Sequence, residues 1–289
     1  MKLSDLFSAG KFVITSEVAP PKGTNTAEMI ENAELLKPRV AAVNITDQQS
    51  SVMRLGSLGA SQMLKARGIE PIFQVTCRDR NRIALQSDLL SAWALGIENV
   101  LCLTGDHVSL GDFPDAKPVF DLDSVSLLDA AKRLNGGRDM GDNELEGSPG
   151  FCLGAVVTPG ADPIELQLIK MEKKVAAGAT FFQTQAVFDA EAFARFMERA
   201  KPLGVPVMAG IILLKSPGMA RFMNKNVAGV HVPDALIDEM ANAEDRPSKS
   251  VEIAARLIRE IVDVCQGVHI MPLGWEKRVP EVLEGAGLS

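Results

Sequence analysis

Phe12-Val13-Ile14-Thr15-Ser16-Glu17, followed at once by Val18-Ala19-Pro20-Pro21-Lys22, decides how the rest of the chain is read. The run is apolar and rich in β-branched residues, it closes on a carboxylate, and a Pro-Pro pair then stiffens the chain. A carboxylate so placed is held in one direction at a strand's mouth. Further short runs of the same kind fall at 40–46, 71–77, 99–104, 151–158, 181–185, 207–213 and 268–273, and most of them also end on a polar group. Between them lie segments of helical period, such as Ile83, Leu89, Leu90, Trp93 and Ala94.

Several helix boundaries are written in the sequence. Asp162-Pro163-Ile164-Glu165 reads as an N-cap, a proline at N1 and a glutamate at N3. Ser216-Pro217 reads similarly, and Gly178 and Gly267 suit the position just past a helix end. Eight strands alternating with helices predict parallel pairing, and right-handed crossovers close eight such units into a single (β/α)8 TIM barrel. An open doubly wound sheet is the rival, weakened because no Gly-x-Gly-x-x-Gly follows the first strand. The stretch 134–150, with Gly136-Gly137, Gly141, Gly147 and Pro149, breaks the rhythm and reads as a surface excursion within one domain spanning 1–289.

The chain has 289 residues, 46% hydrophobic and 23% charged, enough to bury a core without disulfides or metals. A formal charge of −7 with no basic stripe argues against nucleic acid as a partner. Cys77, Cys102, Cys152 and Cys265 lie far apart, so neither a zinc site nor a disulfide framework is expected. The first residues lack the apolar stretch of a signal peptide, and no run reaches membrane-span length. A soluble cytoplasmic protein is expected.

Active sites of such barrels lie at the C-terminal ends of the strands. In order, those ends carry Glu17, Thr46-Asp47, Gln74 and Thr76, Thr104-Gly105-Asp106, Thr158, Gln183 and Gln185, and Lys215. No His/Asp/Glu cluster there suits a divalent metal; His107, His231 and His269 are scattered and read as structural or solvated. No nucleophile elbow or Cys/His pair is visible. Two carboxylates remain among neutral hydrogen-bonding groups. A glutamate near apolar walls can keep its proton and act as a general acid, while an aspartate beside hydroxyl and amide donors stays ionised. Glu17 can equally cap a helix or pair with a lysine, and Asp106 can cap a loop turn. Of Gln183 and Gln185, one is expected to face the barrel and the other the helices; an inward glutamine can recognise a pterin or flavin edge, or satisfy a backbone group. Lys170, Lys173 and Lys174 lie toward a helix C-terminus, where they complement the dipole or meet a phosphate.

Glu17-x-x-Pro20-Pro21-Lys22, Leu103-Thr104-Gly105-Asp106, Lys174-x-x-x-Gly178-Ala179 and Gln183-Thr184-Gln185-x-x-Phe188-Asp189 occur in order, with Gly210-Ile211-Ile212 and Gly267-Val268-His269 beyond them. With these motifs the chain resembles the methylenetetrahydrofolate reductase family over nearly its whole length. The resemblance implies a flavoprotein that reduces 5,10-methylenetetrahydrofolate to 5-methyltetrahydrofolate in a ping-pong cycle. It implies FAD (or the shorter FMN) as cofactor, NADH or NADPH or a separate electron-transfer subunit as donor, and a homo-oligomer. Glu17 matches the general acid. Asp106 matches the aspartate that binds folate and tunes the flavin, and Gln185 the glutamine that contacts folate and nicotinamide. Thr46 matches the threonine facing the pyridine nucleotide, with Asp47 and Gln49 beside the flavin. Gln74, Thr104, Gly105, Lys173 and Lys174 fall on flavin-contacting positions, the lysines neutralising its phosphates.

The chain departs from the family pattern at four places. Gln74 stands where many members have histidine and Thr104 where many have arginine; about Val157 replaces a frequent tyrosine, and Trp275 falls near an arginine position. These surround the cofactor and leave FAD and FMN both open. No long regulatory extension of the animal type is present, so no adenosylmethionine control is expected. Two other classes stay in view. One is a flavin-free barrel lyase or methyltransferase that binds a pterin and uses Lys215 as a Schiff-base amine; the other is a non-catalytic subunit of a folate-reducing complex.

Overall fold

Eight parallel strands pair in chain order and close on themselves, β1 with β8. The computed structural model describes residues 1–288. The strands are β1 (Val13–Val18), β2 (Ala42–Ile45), β3 (Pro71–Thr76), β4 (Asn99–Leu103), β5 (Cys152–Val157), β6 (Phe181–Ala186), β7 (Val207–Ile212) and β8 (Gly267–Met271). The helices are α1 (Leu3–Ser8), α2 (Ala27–Leu36), α3 (Ser57–Lys65), α4 (Arg82–Ala94), α5 (Ser124–Asn135), α6 (Ile164–Ala176), α7 (Ala190–Ala200), α8 (Pro217–Asn226), α9 (Asp234–Asn242), α10 (Arg246–Ile261) and α11 (Val279–Ala286). The (β/α)8 barrel expected from the alternation is therefore the fold. No helix among the described residues is long and apolar enough to cross a membrane.

Three apolar clusters hold it together; one, with Leu214, Met223, Ile237 and Met240, lies under α8, α9 and α10, and the other two line the sheet. The larger lies between sheet and helices and takes the outward residues of the strands, among them Val43, Ile45, Phe73, Val75 and Phe182. The smaller fills the barrel's lower interior with Val13, Ala42, Ile72, Leu101, Cys152, Phe181 and Met208. Gly154 makes room there: a Cβ on it would lie 2.3 Å from the Phe181 ring. α1 closes the N-terminal mouth with Leu3, whose N–H donates to Asn99 Oδ1 at 2.8 Å.

Above that apolar floor the interior turns polar. Asn44 and Gln183 exchange two amide hydrogen bonds across the barrel, at 2.8 and 3.1 Å. Gln183 also donates to Thr15 Oγ1 at 3.3 Å, and Thr15 meets His269 Nδ1 at 3.0 Å. A buried polar layer is tolerated because its members satisfy one another, and it then fixes one arrangement of the residues above.

Four local expectations need correction. Asp162 is not the N-cap of α6; Pro163 takes that position, with no side-chain cap. Gly267 does not end a helix but opens β8, where a Cβ would lie 2.1 Å from Val13 O; close strand contact, not a turn, requires it. On α4 the buried face is Leu85, Leu89 and Ala92, while Ile83 is 75% exposed and Leu90 also faces out. Gln183 and Gln185 are two residues apart, and a period of two sets both on the barrel's inner face. Ser216 caps α8 as read, accepting from Met219 N at 3.1 Å with Pro217 in the first turn. Gly178 follows α6 with φ +114°. The 134–150 excursion carries an isolated antiparallel bridge, Arg138 to Glu144, and packs Met140 and Leu145 onto the core.

Candidate active site

At the C-terminal mouth a cavity of about 340 Å3 gathers Glu17, Thr46, Asp47, Gln49, Gln74, Thr104, Gly105, Asp106 and Gln185. Nine of the singled-out residues thus share one hollow. Its floor mixes the polar layer, represented by Gln183 and His269, with apolar Leu101, Leu103, Val156 and Met271. A second hollow of about 500 Å3 opens on the other side of Glu17 and Gln49, bounded by the Pro20-Pro21 turn and by Leu273 and Gly274 after β8. Glu17 and Gln49 form part of the wall between the two.

Glu17 is 7% exposed, at the upper end of β1. Its partner is not a lysine but His269, whose Nε2 stands 3.6 Å from Glu17 Oε2. His269 is pinned from its other ring nitrogen by Thr15, so the polar layer orients the carboxylate's neighbour. The scattered-histidine reading missed this because the contact joins the first and last strands. Only the alignment of Thr15 with His269 across the β1–β8 seam brings the two together.

Thr46 Oγ1 is buried in the cavity wall and finds no protein partner. Gly105 has φ +91°, and a Cβ there would crowd Thr76 Cβ at 3.1 Å and Arg78 Cβ at 3.2 Å. Close packing against the end of β3 and the left-handed backbone both require glycine there. Thr104 Oγ1 accepts from Ser124 N at 3.0 Å at the head of α5, while Asp106 projects exposed at the rim. Gln185 is half-buried above Gln183.

Asp47 is bound into the frame. Its carboxylate accepts from Thr76 N and Thr76 Oγ1 at 2.9 Å each, from Ser57 Oγ at 3.1 Å, and from Arg80. Burial opposes the charge on Arg80, but Asp47 and Asp88 outweigh it and hold the guanidinium above its ordinary value. The lysines differ from the other site candidates. Lys173 is exposed on α6 and does not line the cavity. Lys174 donates to Val156 O at 2.6 Å, and burial followed by Lys170 lowers its ammonium from the ordinary lysine range. Lys215 donates to Leu273 O at 2.5 Å and lies 5.0 Å over the Trp275 ring, so its amine is held by the loop after β8. That placement gives no support to a Schiff-base role.

The loop after β2 carries unusual backbone. Gln48, Ser50 and Ser51 have φ of 50°, 55° and 59°, without glycine. Such residues cost on the order of 1 kcal/mol each and persist only where surroundings hold them. Here Gln48 Oε1 accepts from Arg54 N at 2.7 Å and Gln48 Nε2 donates to Arg54 O at 3.1 Å. Arg78, buried at 2% exposure, was not foreseen at all; it reaches the same loop. Among the described residues no group of His, Cys, Asp and Glu is arranged to hold a metal ion. A hollow of about 510 Å3 at the opposite end, by Val207 and Gln266, contains none of the strand-end residues.

The acid beside a histidine and the amides and hydroxyls around them lie where (β/α)8 enzymes carry their active sites, at the C-terminal ends of the strands. The family model for methylenetetrahydrofolate reductase matches residues 2–287, and the chain belongs to that family. It is 25% identical over 263 residues to a 5,10-methylenetetrahydrofolate reductase of Pectobacterium carotovorum, covering 88% of this chain and 82% of that one. It is 24% identical over 237 residues to a probable methylenetetrahydrofolate reductase (NADPH) of Caenorhabditis elegans, which covers 79% of this chain; the match spans only 34% of the worm protein. Among solved structures, a Clostridium thermocellum protein described as binding two copies of 5-methyl-5,6,7,8-tetrahydrofolic acid superposes with TM-score 0.65 at 18% identity, covering 100% of this chain and 97% of that one. That likeness extends to the fold.

Proposed function

We propose that this chain reduces 5,10-methylenetetrahydrofolate to 5-methyltetrahydrofolate with a bound flavin, FAD or the shorter FMN. Membership of the family supports the reaction, and the observation that carries the assignment of residues is the buried Glu17–His269 pair at the wall of a cavity that also holds Asp106 and Gln185. The Thr46 hydroxyl, without a protein partner, and the cavity's mix of amide, hydroxyl and apolar lining fit a heterocyclic cofactor. Gln74, Thr104, Asp47 and Gln49 would border it. Lys173 and Lys174 are proposed only as positive charge on the β5–α6 side.

The flavin, when reduced, supplies the hydride. The protein supplies the proton and the fit. Glu17 gives its proton to N10 of the folate as the bond from N10 to the methylene carbon breaks, N10 keeping the electron pair. The resulting N5 iminium takes the hydride at carbon and becomes the methyl group. Gln185 binds the pterin edge with one donor and one acceptor. Asp106 offers an acceptor to the pterin and a negative charge toward the developing cation. Leu101, Leu103 and Val156 line the cavity beside them and limit water. Electrons would come from NADH, NADPH or a partner subunit, and Thr46 would border a nicotinamide in the first two cases.

The test is an absorption spectrum of the purified protein, with and without added FAD or FMN, followed by anaerobic NADH and then methylenetetrahydrofolate. A flavin spectrum that bleaches and returns on folate supports the reading. Return on folate after chemical reduction only would assign the donor to a partner. A protein that binds neither flavin would overturn the proposal.

A further inference from the structure

We propose that Arg78 is the positioning residue of this site, locking the loops after β2, β3 and β4 into one unit so that Gln49 and Asp106 line the cavity together with Glu17. The inference rests on the functional reading above for what Gln49 and Asp106 do, and on geometry alone for how they are held. Arg78 lies directly after β3 and is almost fully buried. A guanidinium has five N–H donors in a planar fork. All five are engaged. Nε donates to Asp79 Oδ1 at 2.9 Å. Nη1 donates to Ser51 Oγ at 2.9 Å and to Asp106 O at 3.3 Å. Nη2 donates to Gln48 O at 3.2 Å and Asp79 Oδ2 at 2.8 Å.

Arg78 thus has no donor left for a ligand, although it lines the cavity. Besides Asp79, it contacts the left-handed Gln48 and Ser51, which bracket Gln49 and Ser50, and the backbone of Asp106 itself. Ser51 extends the knot, its hydroxyl lying 3.1 Å from Asp106 O and 3.0 Å from His107 O. The two loops touch without space between them: a Cβ on Gly111 would fall 1.9 Å from Ser51 O. A strained loop needs surroundings that over-determine it, and one arginine connects it to both neighbours. Lysine cannot substitute, because a point charge with three donors cannot reach four residues on three loops at once.

The experiment uses the full chain with Arg78→Lys, Asp106→Asn and the double variant. Hydrogen exchange in Arg78→Lys is expected to show segments 47–56 and 104–120 losing protection together while the strands keep theirs. Binding of 5-methyltetrahydrofolate and the folate-dependent rate are expected to fall on the order of 10-fold, the size of coupling found within one hydrogen-bond network. In the Asp106→Asn background the same substitution should then add little, because its effect passes through Asp106. Loosening of one segment alone, or a full multiplicative loss in the double variant, would overturn the proposal. If Arg78→Lys does not fold, Ser51→Ala replaces it, with a smaller loss and the same non-additivity expected. Should Asp106→Asn alone leave folate turnover intact, the reading of Asp106 fails, and the exchange result still decides whether Arg78 joins the loops.

Discussion

His269 Nε2 lies 3.6 Å from Glu17 Oε2 at the seam where β8 meets β1, with Thr15 holding the other ring nitrogen at 3.0 Å. The seam is the only place where residues 252 positions apart in sequence become neighbours on adjacent strands (269 − 17 = 252). Glu17 therefore depends on barrel closure for its setting. One oriented neighbour holds the carboxyl in one direction, as the proposed transfer to a single folate nitrogen requires.

His269→Ala removes that neighbour and leaves Thr15 and Gln183 to re-pair. The folate-dependent oxidation of the reduced enzyme should slow on the order of 10-fold, as expected when a supporting contact to an acid is lost. Reduction by the electron donor should be unchanged. Stopped-flow measurement of the two half-reactions, with a melting curve beside them, separates this from general damage.

Gly210 lies inward on β7 beside a register shift in β6, where its N–H donates to Thr184 Oγ1 at 2.9 Å. A Cβ there would meet Thr184 O at 2.3 Å and Gln185 O at 3.0 Å. Gly210→Ala should push β6 outward, cost about 1–3 kcal/mol of stability as overpacking does, and weaken folate binding through Gln185. Urea unfolding and a 5-methyltetrahydrofolate titration read the two effects separately.

Asp47 accepts from three side chains and one backbone N–H, with Arg80 as its charged partner. Asp47→Ala leaves that arginine with Asp88 as its one remaining carboxylate and takes the carboxylate acceptor from Thr76 and Ser57. The expected loss is about 3 kcal/mol, as for broken buried pairs. A shift of the urea midpoint without change of slope would bear this out.

The Cys77 thiol is pushed up to about 12, chiefly by burial, with Asp123 adding to the rise and Arg80 opposing it. Burial pushes Cys102 up as well. Below the ordinary thiol range both folded and unfolded chains keep these protons, and the stabilisation is fully present. As pH rises from about 9 toward 12 the unfolded chain loses protons that the native chain retains, so stability falls. Urea midpoints from pH 8 to 10.5 should decline, and Cys77→Ala should flatten the decline.

The strands were legible because a half-buried or fully buried strand is a short local pattern. All eight were read within about two residues of their observed ends, and the strand-end rule then brought Glu17, Thr46, Gln74, Gly105, Asp106 and Gln185 into one cavity. What stayed hidden depends on contacts between distant segments. Arg78 sits in Cys77-Arg78-Asp79-Arg80-Asn81, which reads locally as a polar turn; its burial comes from two loops folding over it. The left-handed Gln48, Ser50 and Ser51 carry no glycine to announce them. On α4, Ile83 and Leu90 matched a helical period yet face outward, because the period fixes spacing and not which face meets the sheet. Gln183, paired with Asn44, belongs to the scaffold, while Gln185 lines the cavity above it.

Glu17 as the proposed proton donor is tested most directly by Glu17→Gln. Glutamine keeps the shape and the approach to His269 but cannot give up a proton to N10. With the flavin-loaded protein under anaerobic conditions, donor-driven reduction should proceed at the unsubstituted rate. Reoxidation by methylenetetrahydrofolate should fall by about 10²-fold or more, the range for loss of a general acid. If reoxidation survives at its original rate, Glu17 is a structural partner of His269 and the proton comes from elsewhere.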